Sequence, residues 1–95
     1  MGGYVYIMTD EPGGTLYIGV TADLARRVWQ HRNGLGSTFC KEHGLVRLVY
    51  VEPHGTIQEA IEREKALKRW KRSWKLNLIG SANPEWRDLY DEINA

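Results

Sequence analysis

The sequence predicts an α+β fold, in which helices flank a small, three-stranded and mostly antiparallel sheet. Three observations carry this prediction: two short β-rich segments around a glycine-rich turn, a third β-rich segment near the middle, and helical periodicity through the C-terminal half. The resulting element order is β-β-α-β-α-α-α. With 95 residues, the chain is long enough for one domain, residues 1–95, with a single hydrophobic core.

The first two strands form a predicted β-hairpin. Gly3–Thr9 is rich in β-branched and aromatic residues, which favour strands, and residues 16–20 resume this pattern after the turn at residues 10–14. Tyr6 and Tyr17 lie on the two strands. Whether their rings share a face depends on the strand register, which the sequence leaves open.

A helix follows the hairpin directly. Either Thr21 or Asp23 can cap its N-terminus, and Gly34 predicts its end after about Asn33. Residues 35–44, which have glycines near both ends, are predicted to be irregular.

The third strand is predicted at residues 46–52, and residues 53–55, which include a proline, are expected to end it. Thr56 and Glu59 then form a capping box, which marks the start of a helix. Helical spacing continues to about Ile79, with a bend expected near residues 71–73.

A last helix is predicted from Asn83 and Pro84, which suit the N-cap and the first helical position. Its apolar residues recur at i, i+3, i+4 and i+7, and they are Trp86, Leu89, Tyr90 and Ile93.

Composition argues against a membrane or secreted protein. No apolar run reaches the roughly 18 residues that a membrane span needs, and no secretory signal is visible at the N-terminus. The single cysteine, Cys40, has no internal disulfide partner, which fits a reducing compartment. We therefore expect a cytoplasmic protein.

Charge is distributed unevenly, although the net charge is only +1. Residues 63–75 contain seven of the 13 basic residues and one acid, Glu64. Basic residues alternate there with Trp70 and Trp74, a pattern that can hold phosphates and stack bases. The alternative is a solvated basic face with both tryptophans in the core, and for Trp74 we expect the core.

The first helix carries two polar side chains on the stripe that should face the sheet. Arg27 and His31 are spaced with Leu24 and Val28 at i, i+3, i+4 and i+7. A boundary arginine beside a hydrogen-bonded histidine would explain this pattern, and so would a phosphate site.

Glu64 lies in the apolar stripe of the next helix, three residues from both Ile61 and Leu67. A buried carboxylate is unfavourable unless it is paired or binds a metal. An i, i+4 pair with Lys68 would contribute about 0.2–0.5 kcal/mol on a helix surface, which does not explain a position on the buried stripe. We therefore expect a functional role for Glu64.

Together these residues resemble the GIY-YIG nuclease family. The first half of the family name is present in altered form as Tyr4-Val5-Tyr6, whose first residue replaces glycine, and the second half is intact as Tyr17-Ile18-Gly19. Arg27 and His31 match the R-x-x-x-H pair, and Glu64 matches the acidic residue of the helix after the third strand. Residues 63–68 and 83–86 are similar to the small stand-alone branch related to the N-terminal domain of the C component of excinuclease ABC, which implies a role in DNA repair.

The resemblance implies metal-dependent hydrolysis of phosphodiester bonds in nucleic acid, usually DNA. Glu64 would hold one Mg²⁺ or Mn²⁺ ion, in a one-metal mechanism. Arg27 would bind the scissile phosphate and stabilise its charge. Tyr6, Tyr17 and His31 would orient the attacking water and relay its proton, and which of them is the general base stays open.

Further residues are expected to bind the substrate. Gly19 would leave room for a phosphate to approach the strand, and Lys68, Lys71 and Lys75 would contact phosphates. Asn83 matches an asparagine that some family members place near the site, and its predicted N-cap role explains it equally well.

Two other classes of protein remain as alternatives. A catalytically inactive nucleic-acid-binding module on the same fold would bind without cleaving, and its binding would weaken with salt. The presence of every candidate catalytic residue argues against this module. A protein-interaction domain that uses the tryptophan-rich C-terminal third has no positive evidence. Neither the form of the nucleic acid nor the oligomeric state follows from the sequence.

Overall fold

The computed structural model describes residues 2–94. Its three strands are β1 (Gly3–Thr9), β2 (Leu16–Thr21) and β3 (Arg47–His54), which form an antiparallel sheet in the order β2-β1-β3. β1 is the central strand and is buried along almost its whole length, whereas β2 and β3 are edge strands.

Helices cover both faces of this sheet. α1 (Leu24–Arg32), α2 (Thr38–His43) and α5 (Tyr90–Ile93) pack on one face, and α3 (Ile57–Arg69) and α4 (Arg72–Ala82) pack on the other. The predicted α+β class is therefore confirmed, with α2 as an additional short helix. No helix within residues 2–94 has the length and apolar character that a membrane span requires.

The pleat of β1 divides the core into two clusters. Val5 and Ile7 point towards α3, whereas Tyr6 and Met8 point towards α1, and all four are 0% exposed. Burial of one such apolar side chain contributes about 1.5–3 kcal/mol. The two clusters fix α1 and α3 on opposite sides of the same strands, which determines where their polar side chains emerge.

The hairpin register resolves the relation between the two tyrosines. Tyr6 pairs with Gly19, and Tyr17 pairs with Met8. Because residues two apart on a strand share a face, Tyr6 and Tyr17 lie on the same face in diagonal positions.

Two segments differ from the sequence-based prediction. Residues 35–44, predicted to be irregular, contain α2, whose N-cap Ser37 accepts a hydrogen bond from the Cys40 amide and whose C-cap Gly44 is left-handed with φ 66°. A helix of six residues is too short to show a periodic pattern. β3 continues through Pro53 to His54, because an edge strand tolerates a proline.

The bend expected near residues 71–73 is a break that separates two helices. α3 ends at Arg69 and α4 begins at Arg72, because Trp70 and Lys71 adopt extended ψ angles of 147° and 155°. The break turns the start of α4 outwards, and Trp74 is 51% exposed there. The expectation that Trp74 lies in the core was therefore wrong.

The predicted helix start at Asn83 is also wrong. Asn83 is the C-cap of α4, and the Trp86 amide donates to its carbonyl. Trp86 then adopts a left-handed φ of 54°, which interrupts any helix through this position. Only Tyr90–Ile93 is helical, as α5.

Candidate active site

Tyr6 extends from the central strand across Gly19 to reach α1. Its Oη lies 2.7 Å from His31 Nε2, and the two side chains are 0% and 1% exposed. A Cβ atom at position 19 would collide with the ring and hydroxyl of Tyr6. Gly19 therefore makes room for Tyr6, and the space that we expected a phosphate to use is filled by this ring.

Tyr17 and Arg27 complete the cluster on this face. The Tyr17 ring centroid is 6.4 Å from that of Tyr6 and 5.3 Å from that of His31. Arg27 is half-buried, and its Nη1 donates to Gln30 Oε1 at 3.2 Å. The nearby Tyr6 hydroxyl raises the pKa of Arg27, and Tyr17 adds to this increase. Burial lowers the pKa by less, so the net shift is upward. The fold thus brings Tyr6, Tyr17, Arg27 and His31 together.

Burial keeps the inner pair of this cluster neutral at pH 7. Burial raises the pKa of the Tyr6 hydroxyl well above its usual value, and the nearby Arg27 guanidinium only partly offsets that effect. Burial, reinforced by the charge of Arg27, lowers the pKa of His31 to about 4. Tyr6 and His31 therefore share a hydrogen bond between two uncharged groups.

The other ring nitrogen of His31 is enclosed. Nδ1 is buried with no hydrogen-bond partner among residues 2–94, and a Cβ atom at Gly36 would lie 2.7 Å from it. A neutral imidazole has one donor and one acceptor nitrogen. If Nδ1 carries the proton, the Tyr6 hydroxyl donates to Nε2, and if Nε2 carries it, Nε2 donates to Tyr6 Oη.

Glu64 lies on the opposite side of the sheet, on α3. Its side chain is only 13% exposed, and the Lys68 Nζ lies 2.9 Å from its Oε2. The expected partial burial is present. The i, i+4 pair with Lys68, the alternative explanation for this carboxylate, is present as well.

Glu64 is the candidate ligand for a divalent cation. Within residues 2–94, no cluster of three His, Cys, Asp or Glu side chains could hold a metal. A cation bound here would have one carboxylate ligand and would take the rest from water and substrate. Mg²⁺ accepts this arrangement, since it retains water and binds phosphate oxygens, whereas a structural zinc site needs four protein ligands.

A cleft along the β2 edge links the two sides of the candidate site. Its volume is about 300 Å³, and its lining residues are Leu16, Tyr17, Ile18, Phe39, Lys68 and Lys75. Tyr17 belongs to the tyrosine–arginine cluster, and Lys68 is the partner of Glu64. The site therefore straddles one edge strand.

Two residues expected to bind substrate lie away from the lining of this cleft. Lys71 Nζ sits 4.9 Å above the ring centroid of Trp74, at the start of α4. The Asn83 amide donates to the carbonyls of Val49 and Arg87 at 3.1 and 2.9 Å, and its Oδ1 accepts from the Arg87 amide. Val49 belongs to β3, the edge strand opposite β2.

Sequence reasoning missed two groups of residues. Phe39 lines the cleft from α2, and the capping signals of Ser37 and Gly44 could have revealed that helix. At the other sheet edge, Glu52 accepts hydrogen bonds from Tyr50 and Arg63. Burial opposes ionisation of Glu52, but these bonds hold its pKa below the usual value. This second group connects β3 to α3 and does not reach the cleft lining.

Comparison with known proteins gives consistent matches. The model of the GIY-YIG catalytic domain matches residues 2–77. A UPF0213 protein of Clostridium perfringens is 39% identical over 93 residues, which are 96% of this chain and 97% of that protein. A UPF0213 protein of Staphylococcus saprophyticus is 40% identical over 76 residues, 80% of this chain and 92% of that protein. The solution NMR structure of a UPF0213 protein from Bacillus halodurans is 30% identical, covers 93% of each chain and has a TM-score of 0.58.

Proposed function

The chain belongs to the GIY-YIG family, a family of nucleases, and we propose that it is a metal-dependent endonuclease that hydrolyses phosphodiester bonds in DNA. One observation carries the proposal. An arginine–tyrosine cluster and a poorly exposed carboxylate lie on the two sides of the same edge strand, and one cleft is lined both by Tyr17 of that cluster and by Lys68, the partner of the carboxylate. Such a cleft suits a phosphodiester backbone, because its two lysines attract the phosphates.

Arg27 is assigned to the scissile phosphate. It is only half-buried, its Nη1 donates to Gln30 Oε1, and the nearby Tyr6 and Tyr17 hydroxyls favour its charged form. A guanidinium fixed in this way can donate two hydrogen bonds to a phosphate and stabilise the charge that develops during cleavage. The arrangement therefore supports a role in transition-state stabilisation.

The two tyrosines have different exposures, which supports different roles. Tyr17 lines the cleft and can contact an attacking water, whereas Tyr6 is fully buried behind it. His31, whose pKa is lowered to about 4, is a poor proton acceptor at neutral pH. We assign Tyr17 to orienting the water, and Tyr6 and His31 to positioning, with a proton held between Tyr6 Oη and His31 Nε2.

Glu64 is the proposed ligand of a single Mg²⁺ or Mn²⁺ ion. When bound, a divalent cation supplies positive charge at the phosphate and lowers the pKa of a coordinated water. Lys68 holds Glu64 in its present arrangement, and it would have to release the carboxylate to admit the cation. The released ammonium would then face the cleft, where it can bind a phosphate of the substrate.

Cleavage assays with purified protein test this function. Mg²⁺-dependent cleavage of duplex, branched or single-stranded DNA is expected. Glu64→Gln and Arg27→Ala should each reduce the cleavage rate on the order of 100-fold or more. The matched controls are Glu62→Gln and Arg26→Ala, because both residues are exposed neighbours on the same helices. Equal and minimal cutting by the wild type and both site variants on every substrate would contradict the proposal.

The Glu64–Lys68 ion pair favours a second candidate, a binding module without catalysis. In that case Lys68 permanently neutralises the carboxylate, and the cleft only binds nucleic acid. Binding would be the same with EDTA as with Mg²⁺, no substrate would be cut, and Glu64→Gln would not weaken binding. Measurement of Mg²⁺-dependent cleavage in the assay above would eliminate this candidate.

A further inference from the structure

The short helix α2 presents an aromatic ring to the candidate cleavage site. Phe39 is 41% exposed, although it is a large apolar side chain, and it lines the cleft beside Tyr17. Its ring centroid lies 6.3 Å from that of Tyr17, with an interplanar angle of 28°. Phe39 also stacks on His43, with ring centroids 4.3 Å apart and an interplanar angle of 26°. The cleft therefore has an exposed aromatic wall, in which the Phe39 ring lies roughly parallel to the Tyr17 ring.

Several contacts hold this wall in position. Ser37 caps the start of α2, and Cys40, adjacent to Phe39, is 1% exposed in the core. At the other end, the Leu45 amide donates to the Cys40 carbonyl at 2.9 Å, and His43 Nδ1 lies 3.0 Å from the Phe39 carbonyl. A ring fixed in this way loses little conformational entropy when a flat ligand stacks on it.

The opposite side of the cleft is cationic. Lys68 and Lys75 line it from α3 and α4, and no carboxylate is part of the lining. Within residues 2–94, Lys75 has no carboxylate within salt-bridge distance, and its Nζ lies 3.4 Å from the Lys68 carbonyl. A ligand that fits this cleft should thus have a flat aromatic part and an anionic part.

We propose that this cleft is a subsite for one nucleotide next to the scissile phosphate, in which Phe39 stacks the base and Lys68 and Lys75 bind its phosphate. The inference rests on the proposed nuclease function and makes Phe39 a substrate-binding residue. Aromatic side chains stack any base through its π-face, and lysines contact phosphates without reading sequence. The subsite would therefore recognise the presence of a base rather than its identity.

Titration of the metal-free protein with two mononucleotide probes tests the base contact directly. Deoxyadenosine 5′-monophosphate should bind about tenfold more tightly than deoxyribose 5-phosphate, which lacks the base, when binding is followed by NMR chemical shifts in EDTA. Phe39→Ala should reduce the nucleotide affinity to that of the sugar phosphate, whereas Phe39→Trp should preserve the difference. Leu35→Ala is the control, because Leu35 is 68% exposed and lies outside the cleft lining.

The outcomes separate this subsite from the nuclease function. Equal affinities for the two probes, or an unchanged nucleotide affinity in a folded Phe39→Ala variant, would overturn the subsite. Base-dependent binding without cleavage of any substrate would leave the subsite standing and remove the nuclease function. In an oligonucleotide that is cleaved, one abasic position beside the cut should reduce the wild-type rate about tenfold and should have little effect on Phe39→Ala.

Discussion

A single buried histidine should give the protein a distinctive sensitivity to acid. The pKa of His31 is lowered to about 4 in the folded state, by burial and by the charge of Arg27, from an ordinary value of 6.5. The unfolded chain therefore binds more protons between these pH values, so the free energy of unfolding falls as the pH is lowered from 6.5 to 4. The maximum loss from this residue is on the order of 3 kcal/mol.

Urea unfolding at several pH values would measure this effect. The difference in unfolding free energy between the wild type and His31→Gln should shrink as the pH falls from 6.5 to 4, since only the wild type loses the histidine contribution. Gln58→Ala serves as the control, because this exposed residue carries no titrating group and its replacement should leave the profile parallel to the wild type. A constant difference between wild type and His31→Gln would refute the assignment.

The close approach of Tyr6 to Gly19 leads to a second prediction about a single residue. A methyl group at position 19 would displace Tyr6, so Gly19→Ala should destabilise the fold by about 1–3 kcal/mol and reduce cleavage strongly. Gly80→Ala is the matched control, because a Cβ there meets nothing within 4 Å on a helix, and it should stabilise by about 0.4–1 kcal/mol. Thermal unfolding and cleavage rates of the two variants check both statements, and a fully active Gly19→Ala would contradict the first.

The sequence could identify these residues but could not give all their roles. The burial of His31 follows from its place on the helical stripe, and the partial burial of Glu64 follows from spacing in the same way. The role of Gly19 depends on which residue faces it across the hairpin. That register is fixed by the packing of the whole sheet, so a phosphate and a tyrosine ring were equally good occupants of its space.

At the scale of elements, Asn83 connects three segments. Its amide ties the end of α4 to β3 and to the chain at Arg87, and the residue is 2% exposed. Asn83→Ala would leave buried backbone groups without partners and should destabilise the protein by about 1–3 kcal/mol. Chemical denaturation measures this loss, and Asn77→Ala, an exposed change on the same helix, should be close to neutral.

The same variant tests whether Asn83 takes part in catalysis. Its hydrogen bonds engage the main chain of β3, the edge strand opposite the cleft, so the cleavage rate per folded molecule should be unchanged. A large drop in that rate, in protein that is demonstrably folded, would restore the substrate-binding role expected from the resemblance. The sequence could not separate these roles, because Asn-Pro also suits the start of a helix.

α2 and the α3–α4 break show where the periodicity of apolar residues is an insufficient signal. α2 is stabilised by its caps and by Cys40 in the core, neither of which produces a periodic pattern. In contrast, helical spacing runs through the break without interruption, and extended angles at Trp70 and Lys71 are what separate the helices. Tertiary packing decides both features, since it allows α3 and α4 to lie on one sheet face.

Across the whole molecule, much of the basic run at residues 63–75 already contacts other parts of the chain. Arg63 pairs with Glu52, and Arg72 donates to the carbonyls of Gly13 and Gly14 in the hairpin turn. Lys68 and Lys75 line the cleft itself. The sequence predicted a basic face, and in the structure part of its charge is concentrated at the β2 edge.

This concentration predicts a local salt dependence. In EDTA, the affinity for duplex DNA should fall linearly with salt on logarithmic axes, and Lys75→Gln should reduce the slope by about one. Arg26→Gln, an exposed change on α1, should leave the slope unaltered. Fluorescence anisotropy at a series of salt concentrations gives these slopes. A Lys75→Gln slope identical to the wild type would argue against phosphate binding in the cleft.

The position of β2 at the sheet edge also affects whether copies of the protein associate with one another. An edge strand keeps one row of backbone donors and acceptors unpaired, and these groups can recruit the edge of another molecule. Pairing of two copies through β2 would seal the cleft, so self-association along this edge and access of nucleic acid exclude each other. The lysines beside the strand add charge repulsion between copies, and the same charges that attract a polyanion thereby help to keep the edge open.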